Sequence, residues 1–309
     1  MSMADMSASG SPFAASQATG RAGVLLIHGG AHAGWCWNRM RVLLDYPSIA
    51  IDLPGRERDA SITKITTSDF VGAAVRAVEE SGWQEVVVVA HSLGGVTACG
   101  LAHALPEKVR HLIFVASILP EVGRSLLDLA PSALKPLLSW GYRRAVDRNG
   151  AYMLPEKVAR YLFCNDLDHA ESSDLIERLC AEPPRVIVEP SRFAVPQSIP
   201  RTYVRPMHDH ALGRSTQNRM IRLLGDVDVV DIDAGHNVMI SRPSEIAALV
   251  NSVARRRLTD VTGRPPTDAH SAGDVGPRSQ TSEERLSAGS WAGADEGLCG
   301  DDGSSDVAT

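Results

Sequence analysis

The feature that most limits what this chain can fold into is the stretch from Glu85 to His91, whose interior reads Val86-Val87-Val88-Val89-Ala90. A strand with no polar face has to be covered on both sides, which is the situation of a central strand in a parallel sheet flanked by helices. The run leads straight into Ser92-Leu93-Gly94-Gly95, and Gly95–Leu105 is a small-residue segment that reads as a helix. Strand, sharp turn with Ser at its apex, then helix is the setting of a nucleophile elbow. The chain doubles back closely there, so the flanking positions must be small; Ala90 and Gly94 fill them. Such a turn lifts the Ser92 hydroxyl into the open. It also aims the helix amino end, whose peptide dipoles favour negative charge, at the reacting centre.

The rest of the chain repeats the strand–helix rhythm. Val24–His28, Ser48–Leu53, His111–Ala116, Arg201–Arg205 and Val227–Ile232 read as strands. Trp35–Leu44, Arg219–Leu224 and Pro243–Arg256 read as helices, as does a segment capped by Thr67-Ser68-Asp69 and running to Ser81. This predicts an α/β fold with a mostly parallel sheet and helices on both faces. The rhythm breaks over residues 119–196, which are proline-rich and helical, with Leu126–Leu129, Ala133–Trp140, Glu156–Phe163 and Ser173–Cys180 as the expected helices. An insertion of that size reads as a helical cap over the strand ends.

The expected domain is 21–257. Residues 1–20 are rich in Ser and Ala, and 258–309 hold only six Val, Ile, Leu or Phe among 52 positions. Segments of that kind cannot bury enough apolar surface to offset their ordering entropy, so both ends are expected to be disordered. The tail carries ten acidic residues against three arginines; the chain's net charge of −6 therefore sits there and the body is near neutral. A neutral body gives no reason to expect nucleic acid or a membrane surface as a partner. No apolar run approaches the roughly 20 residues of a membrane span, and residues 1–20 do not read as a secretory signal. The five cysteines, Cys36, Cys99, Cys164, Cys180 and Cys299, lack metal-type spacing and fit reduced thiols and a cytoplasmic protein.

A serine hydroxyl is a poor nucleophile until a base takes its proton. His236, in Asp233-Ala234-Gly235-His236-Asn237, comes after a strand and precedes the last helix, so it occupies a loop where ligands meet open α/β sheets. Asp209, in Pro206-Met207-His208-Asp209-His210, comes after the preceding strand and is the candidate carboxylate. The order Ser92, Asp209, His236 is the one expected of a nucleophile-elbow fold. Asp231, Asp233 and Glu121 are rival acids, the first two close to His236 in sequence. His208 and His210 form a His-x-His pattern without a third ligand, so no metal is expected. Val24-Leu25-Leu26-Ile27-His28-Gly29-Gly30 ends a strand in two glycines, and the N–H groups of Gly30 and Leu93 are the expected oxyanion donors.

Over about residues 22–256 the chain resembles the α/β-hydrolase superfamily, and within it the branch of plant-type methylesterases and hydroxynitrile lyases with their bacterial esterase relatives. The resemblance is carried by HGGAHAGWCW at 28–37, IDLPG at 51–55, AHSLGG at 90–95, TYVRPMHDHAL at 202–212 and GHNVMISRP at 235–243. It implies Ser92 as nucleophile, His236 as base, Asp209 as acid and the Gly30 and Leu93 amides as oxyanion hole. It also places His32 and Trp35 near the pocket, to which His91 and Trp140 are added as expected lining. The lyases carry Thr and Lys where this chain has Gly29 and Asn237, which argues against cyanide release. The expectation is a serine hydrolase acting on a small hydrophobic or aromatic carboxylic ester without cofactor, with a homodimer left open. The alternatives are C–C bond cleavage, lyase or thioesterase/cyclase chemistry on the same fold, or a non-catalytic ligand-binding receptor.

Overall fold

Val86, Val88 and Ala90 point into one core and Val87 and Val89 into another, so the apolar run is buried on both faces as a central strand. The computed structural model describes residues 21–56, 62–129, 135–147, 150 and 153–259, all within one compact unit. Of the expected disordered ends, 1–20 and 258–309, residues 1–20 and 260–309 lie outside these residues. Leu258 is still buried and the Thr259 N–H donates to Glu85 Oε2 at 2.7 Å, so the packed body reaches at least that far.

Among the described residues six strands form one sheet: β1 (Ala22–Ile27), β2 (Ser48–Ile51), β3 (Glu85–His91), β4 (Val109–Val115), β5 (Arg201–Pro206) and β6 (Asp228–Ile232). Their order is β2-β1-β3-β4-β5-β6 and every neighbouring pair is parallel. Strand order turns in opposite directions from β1 and β3. Their carboxyl ends therefore border a crevice, the switch point at which open α/β sheets bind ligands.

The principal helices are α1 (Thr67–Glu80), α2 (Gly94–Ala104), α3 (Lys135–Asp147), α4 (Glu156–Phe163), α5 (His169–Arg178), α6 (Arg214–Leu224) and α7 (Pro243–Arg257). One face of the sheet, through Leu25, Ile27, Leu112 and Phe114, packs on Phe70, Ala74 and Val78 of α1, Leu101 of α2 and Met220 of α6. The other face, through Val24, Leu26, Ile113 and Val115, packs on Trp37, Met40 and, from α7, Ile246, Val250 and Val253.

Several boundaries differ from the sequence expectation for local reasons. The cap of α1 is Thr66, whose side chain accepts from the Asp69 N–H while the Asp69 carboxylate accepts from Thr66, a capping box one residue earlier than expected. A second box, Asp168 with Glu171, starts α5 at His169 instead of Ser173, and extended Leu179 ends it. Trp35–Leu44 is not one helix but a 3-10 turn, Gly34–Trp37, joined to the short helix Asn38–Arg41. An unexpected short helix, Pro184–Val188, begins with proline in its first turn.

The chain between β4 and β5 carries α3, α4, α5 and Pro184–Val188. It enters and leaves at one neck: the Gly123 N–H donates to Ser191 O at 2.9 Å and the Ser191 N–H donates to Arg124 O at 2.8 Å.

The sheet interior sets the stability. Phe114→Ala, at a fully buried site on β4, is expected to cost about 3–5 kcal/mol. Urea unfolding would check this as a lowered midpoint with an unchanged slope.

Candidate active site

Ser92 stands at the end of β3 with φ 49°, in the left-handed region. That conformation costs a non-glycine residue about 1–3 kcal/mol and persists only where the surroundings over-determine it. Here the Ser92 N–H donates to Val115 O at 3.0 Å, and Ser92 O accepts from the N–H groups of Ile118 at 3.0 Å and Gly95 at 3.2 Å. Gly29, just past β1, presses directly on the turn: a Cβ there would fall 2.8 Å from Ser92 Cβ, so only glycine allows the approach. Ser92 is partly exposed while its neighbours are buried.

The loops after β5 and β6 bring a carboxylate and an imidazole together. His236 Nδ1 lies 2.9 Å from Asp209 Oδ2, with both side chains buried. Oδ1 of Asp209 accepts from the N–H groups of Ala211 and Leu212, each at 2.7 Å. The carboxylate is therefore pinned on both oxygens. It accepts the Nδ1 proton, which leaves Nε2 of His236 as the free lone pair. His91, beside Ser92 in the chain, reaches the His236 loop: its Nε2–H donates to His236 O at 3.0 Å and the two rings are 4.6 Å apart. Among the described residues neither the Ser92 hydroxyl nor Nε2 of His236 has a hydrogen-bond partner. The rival acids are engaged elsewhere, Asp231 with Arg205, Asp233 with His208 and Glu121 with Arg219.

Gly30 faces the residue after Ser92. A Cβ on Gly30 would lie 3.6 Å from Leu93 Cδ1 and 3.8 Å from Leu93 Cβ. Among the described residues neither the Gly30 N–H nor the Leu93 N–H donates a hydrogen bond. Both amides are thus open donors next to the amino end of α2.

Three buried histidines surround this centre. Nδ1–H of His28 donates to Gly29 O at 2.8 Å, and its Nε2 accepts from the Leu53 N–H at 3.1 Å. Nδ1–H of His32 donates to Gly30 O at 2.7 Å, and its ring stacks on Trp35 at 5.6 Å and meets Phe163 edge-on at 5.3 Å. Burial holds His28 and His91 well below the ordinary histidine value and His32 at about 4. All three are neutral at pH 7, serving as dipoles and packing surfaces rather than charges. His91 supports the backbone behind His236 instead of lining an open pocket. Among the described residues Trp140 makes no ring contact with His32, His91 or His236; it is 62% exposed on α3, with the Arg144 guanidinium 5.2 Å above its ring.

Sequence reasoning missed a set of polar residues from the stretch between β4 and β5. Glu182 Oε2 accepts from the Ala31 N–H at 2.8 Å, beside Gly30, and forms a buried ion pair with Arg56 Nη2 at 2.8 Å. Arg56 Nε donates to His32 O at 2.8 Å, and the Cys180 N–H donates to Ala31 O at 2.9 Å. Ala31 itself has φ 60°, so this turn is strained and is held by residues from the stretch between β4 and β5. Burial pushes the Glu182 carboxyl up, opposed by Arg56 and the Ala31 amide.

With the elbow, the Asp209–His236 pair and the two open amides in place, comparison with known proteins defines the class. Residues 24–249 match the alpha/beta hydrolase family, and the chain belongs to that family. Among curated relatives it is 26% identical over 254 residues to the carbendazim hydrolyzing esterase of Nocardioides sp. (strain SG-4G), covering 73% of this chain and 97% of that protein. It is 27% identical over 247 residues to Methylesterase 7 of Arabidopsis thaliana, covering 74% and 95%. Among solved structures, an extracellular alpha/beta-hydrolase from a Paenibacillus species superposes with TM-score 0.67 at 18% identity, over 74% of this chain and 97% of that one. A pyrethroid hydrolase from Sphingobium faniae JZ-2 gives 0.61 at 22% identity, over 75% and 97%. No helix among the described residues is long and apolar enough to cross a membrane.

The buried polar groups make two tests available. Glu182→Ala leaves the Arg56 charge buried without its partner and is expected to lower stability by about 3–5 kcal/mol, read from urea unfolding. The neutral histidines make folding pH-dependent. Below 6.5 the unfolded chain gains protons that folded His28, His32 and His91 refuse. Stability is therefore complete above that value and declines as pH falls toward 4; calorimetry should record a lower Tm at pH 5 than at pH 7.

Proposed function

We propose that the protein is a serine esterase that cleaves a small hydrophobic or aromatic carboxylic ester through Ser92, His236 and Asp209. The observation that carries this reading is the buried hydrogen bond of 2.9 Å between Asp209 Oδ2 and His236 Nδ1. It fixes the tautomer in which Nε2 accepts a proton, and in this reading that proton comes from Ser92, held at the apex of a strained turn. Relatives named as esterases and methylesterases support ester hydrolysis as the reaction class. The apolar character of the substrate is supported by the aromatic surroundings of His32, namely Trp35 and Phe163.

In this reading Ser92 Oγ attacks the ester carbonyl carbon as Nε2 of His236 takes the hydroxyl proton. The carbonyl oxygen becomes an oxyanion held by the Gly30 and Leu93 N–H groups. Collapse breaks the bond to the alkoxy oxygen, and His236 returns the proton to the departing alcohol. Water then attacks the acyl-enzyme with His236 again as base, releasing the acid and restoring Ser92. Asp209 keeps the ring oriented and stabilises the imidazolium at both stages. Four free cysteines among the described residues, Cys36, Cys99, Cys164 and Cys180, suit a reducing compartment, and a cytoplasmic location is part of the proposal.

A fluorophosphonate probe should label the folded protein at Ser92 and fail on Ser92→Ala. With p-nitrophenyl esters, Ser92→Ala and His236→Ala are each expected to lower kcat by about 10⁴-fold or more. Undiminished turnover in His236→Ala, or folded wild-type protein that neither labels nor hydrolyses, would remove the esterase reading.

A further inference from the structure

A single stretch of four residues at the end of α4 touches both loops that carry the Asp209–His236 pair. Phe163 O accepts from Asn237 Nδ2 at 3.0 Å, and the Phe163 ring stacks near that of His236, 5.5 Å away. Asn165 Nδ2 donates to His208 O at 2.8 Å. Asp166 Oδ2 accepts from the Gly235 N–H at 2.6 Å. The contacts thus fall on 208, next to Asp209, and on 235, 236 and 237, which are His236 and its two neighbours. The fit at Gly235 is close: a Cβ there would lie 2.5 Å from Asp166 Oδ1 and 2.7 Å from Asn165 Oδ1. The glycine preceding His236 is therefore needed in this chain because the strap packs directly on its Cα.

The other restraints on the two loops act elsewhere. The Asp209 loop closes on itself through Ala211 and Leu212, His210 Nδ1–H donates to Tyr161 O of α4 at 3.1 Å on the side of Asp209 away from His208, and His91 holds only the His236 carbonyl. Among the described residues two bonds from His208 cross directly between the loops besides the Asp209–His236 bond itself, from the His208 N–H to Ala234 O at 3.0 Å and from His208 Nε2 to Asp233 Oδ1 at 2.6 Å. Both stop short of Gly235, on the strand side of the base, and the second is exposed to water. The strap goes further along the chain, to 235 and 237, and so brackets His236 itself while also holding 208. We propose that residues 163–166 are a positioning strap, with Asn165 and Asp166 as positioning residues that set the alignment of the Asp209 carboxylate with the His236 ring. The proposal rests on the reading of that pair as acid and base. It makes catalytic geometry depend on the segment inserted between β4 and β5, so a shift in that segment misaligns the pair without moving Ser92.

The test compares the wild type with Asp166→Ala, Asp166→Asn and Asn165→Ala by two readouts. One is the low-field proton resonance of His236 Nδ1–H, which reports the bond to Asp209 and needs no turnover. The other is the split of kcat from KM on a p-nitrophenyl ester. Loss of the strap bond in Asp166→Ala is expected to weaken or abolish the resonance and to lower kcat about 10–100-fold, with KM held within about threefold. Asp166→Asn keeps an oxygen facing the Gly235 amide and should retain both. A merely structural role would lower Tm in the variants without splitting kcat from KM or separating Ala from Asn. Should Asp166→Ala not fold, Asn165→Ala, which frees only the His208 carbonyl, is expected to show the same losses. Unchanged resonance and kcat in folded Asp166→Ala or Asn165→Ala would overturn the strap. Absence of Ser92 labelling in the wild type would instead overturn the esterase reading, and the resonance comparison would still decide the strap.

Discussion

The burial of β3 on both faces is the constraint on which the remainder of the structure depends. A strand with Val87 and Val89 in one core and Val86, Val88 and Ala90 in the other cannot slide by one residue, because each side chain would change faces. Its last residue is thereby fixed in depth and direction. The chain must then turn within one residue to start α2, since Ser92 O and Ser92 N–H are already committed to Ile118, Gly95 and Val115. The left-handed backbone of Ser92 is the consequence, and the stiffness of the sheet sustains it.

Around that fixed point the polar groups obey one electrostatic logic. The histidines nearest the centre are kept neutral by burial, so they add no positive charge to compete with His236 for Asp209. Two of the buried charges, Arg56 and Glu182, neutralise each other and also bond backbone groups of Ala31 and His32. An isolated charge in that position would be several kcal/mol less favourable, by order of magnitude. The turn bearing the open Gly30 amide is thus held by groups that leave no net charge behind.

How much of this could be read from sequence divides along a physical line. The parallel sheet, the elbow at Ser92 and the placement of Asp209 and His236 at strand ends were legible, because burial periodicity and turn chemistry are local and repeat. Helix starts were missed by a few residues where a capping box decided them: Thr66 with Asp69, and Asp168 with Glu171. Both boxes are visible in the sequence as a polar residue and an acid three positions on, so that signal was available. The exposure of Trp140 was not legible, because an aromatic residue in a helix reads the same whether it faces in or out. Asn165, Asp166 and Glu182 left no mark at all. Their partners are backbone groups 69 positions away for Asp166 and 151 away for Glu182, and a carboxylate that binds main-chain amides imposes no pattern on its neighbours.

The neck formed by Gly123, Arg124 and Ser191 gives the stretch between β4 and β5 the form of a closed side loop. Its two roots are tied together independently of what lies between them, so insertions or deletions within it barely alter the entropy of closing the loop. Such an element is easily exchanged for another of different length as far as the sheet is concerned. The pins at 163–166 and 180–182 restrict that freedom. A replacement that closed the neck but lacked these pins would leave the sheet folded and the loops above it without their outer support, so any variation in the covering segment is free only where it leaves those two short stretches in register.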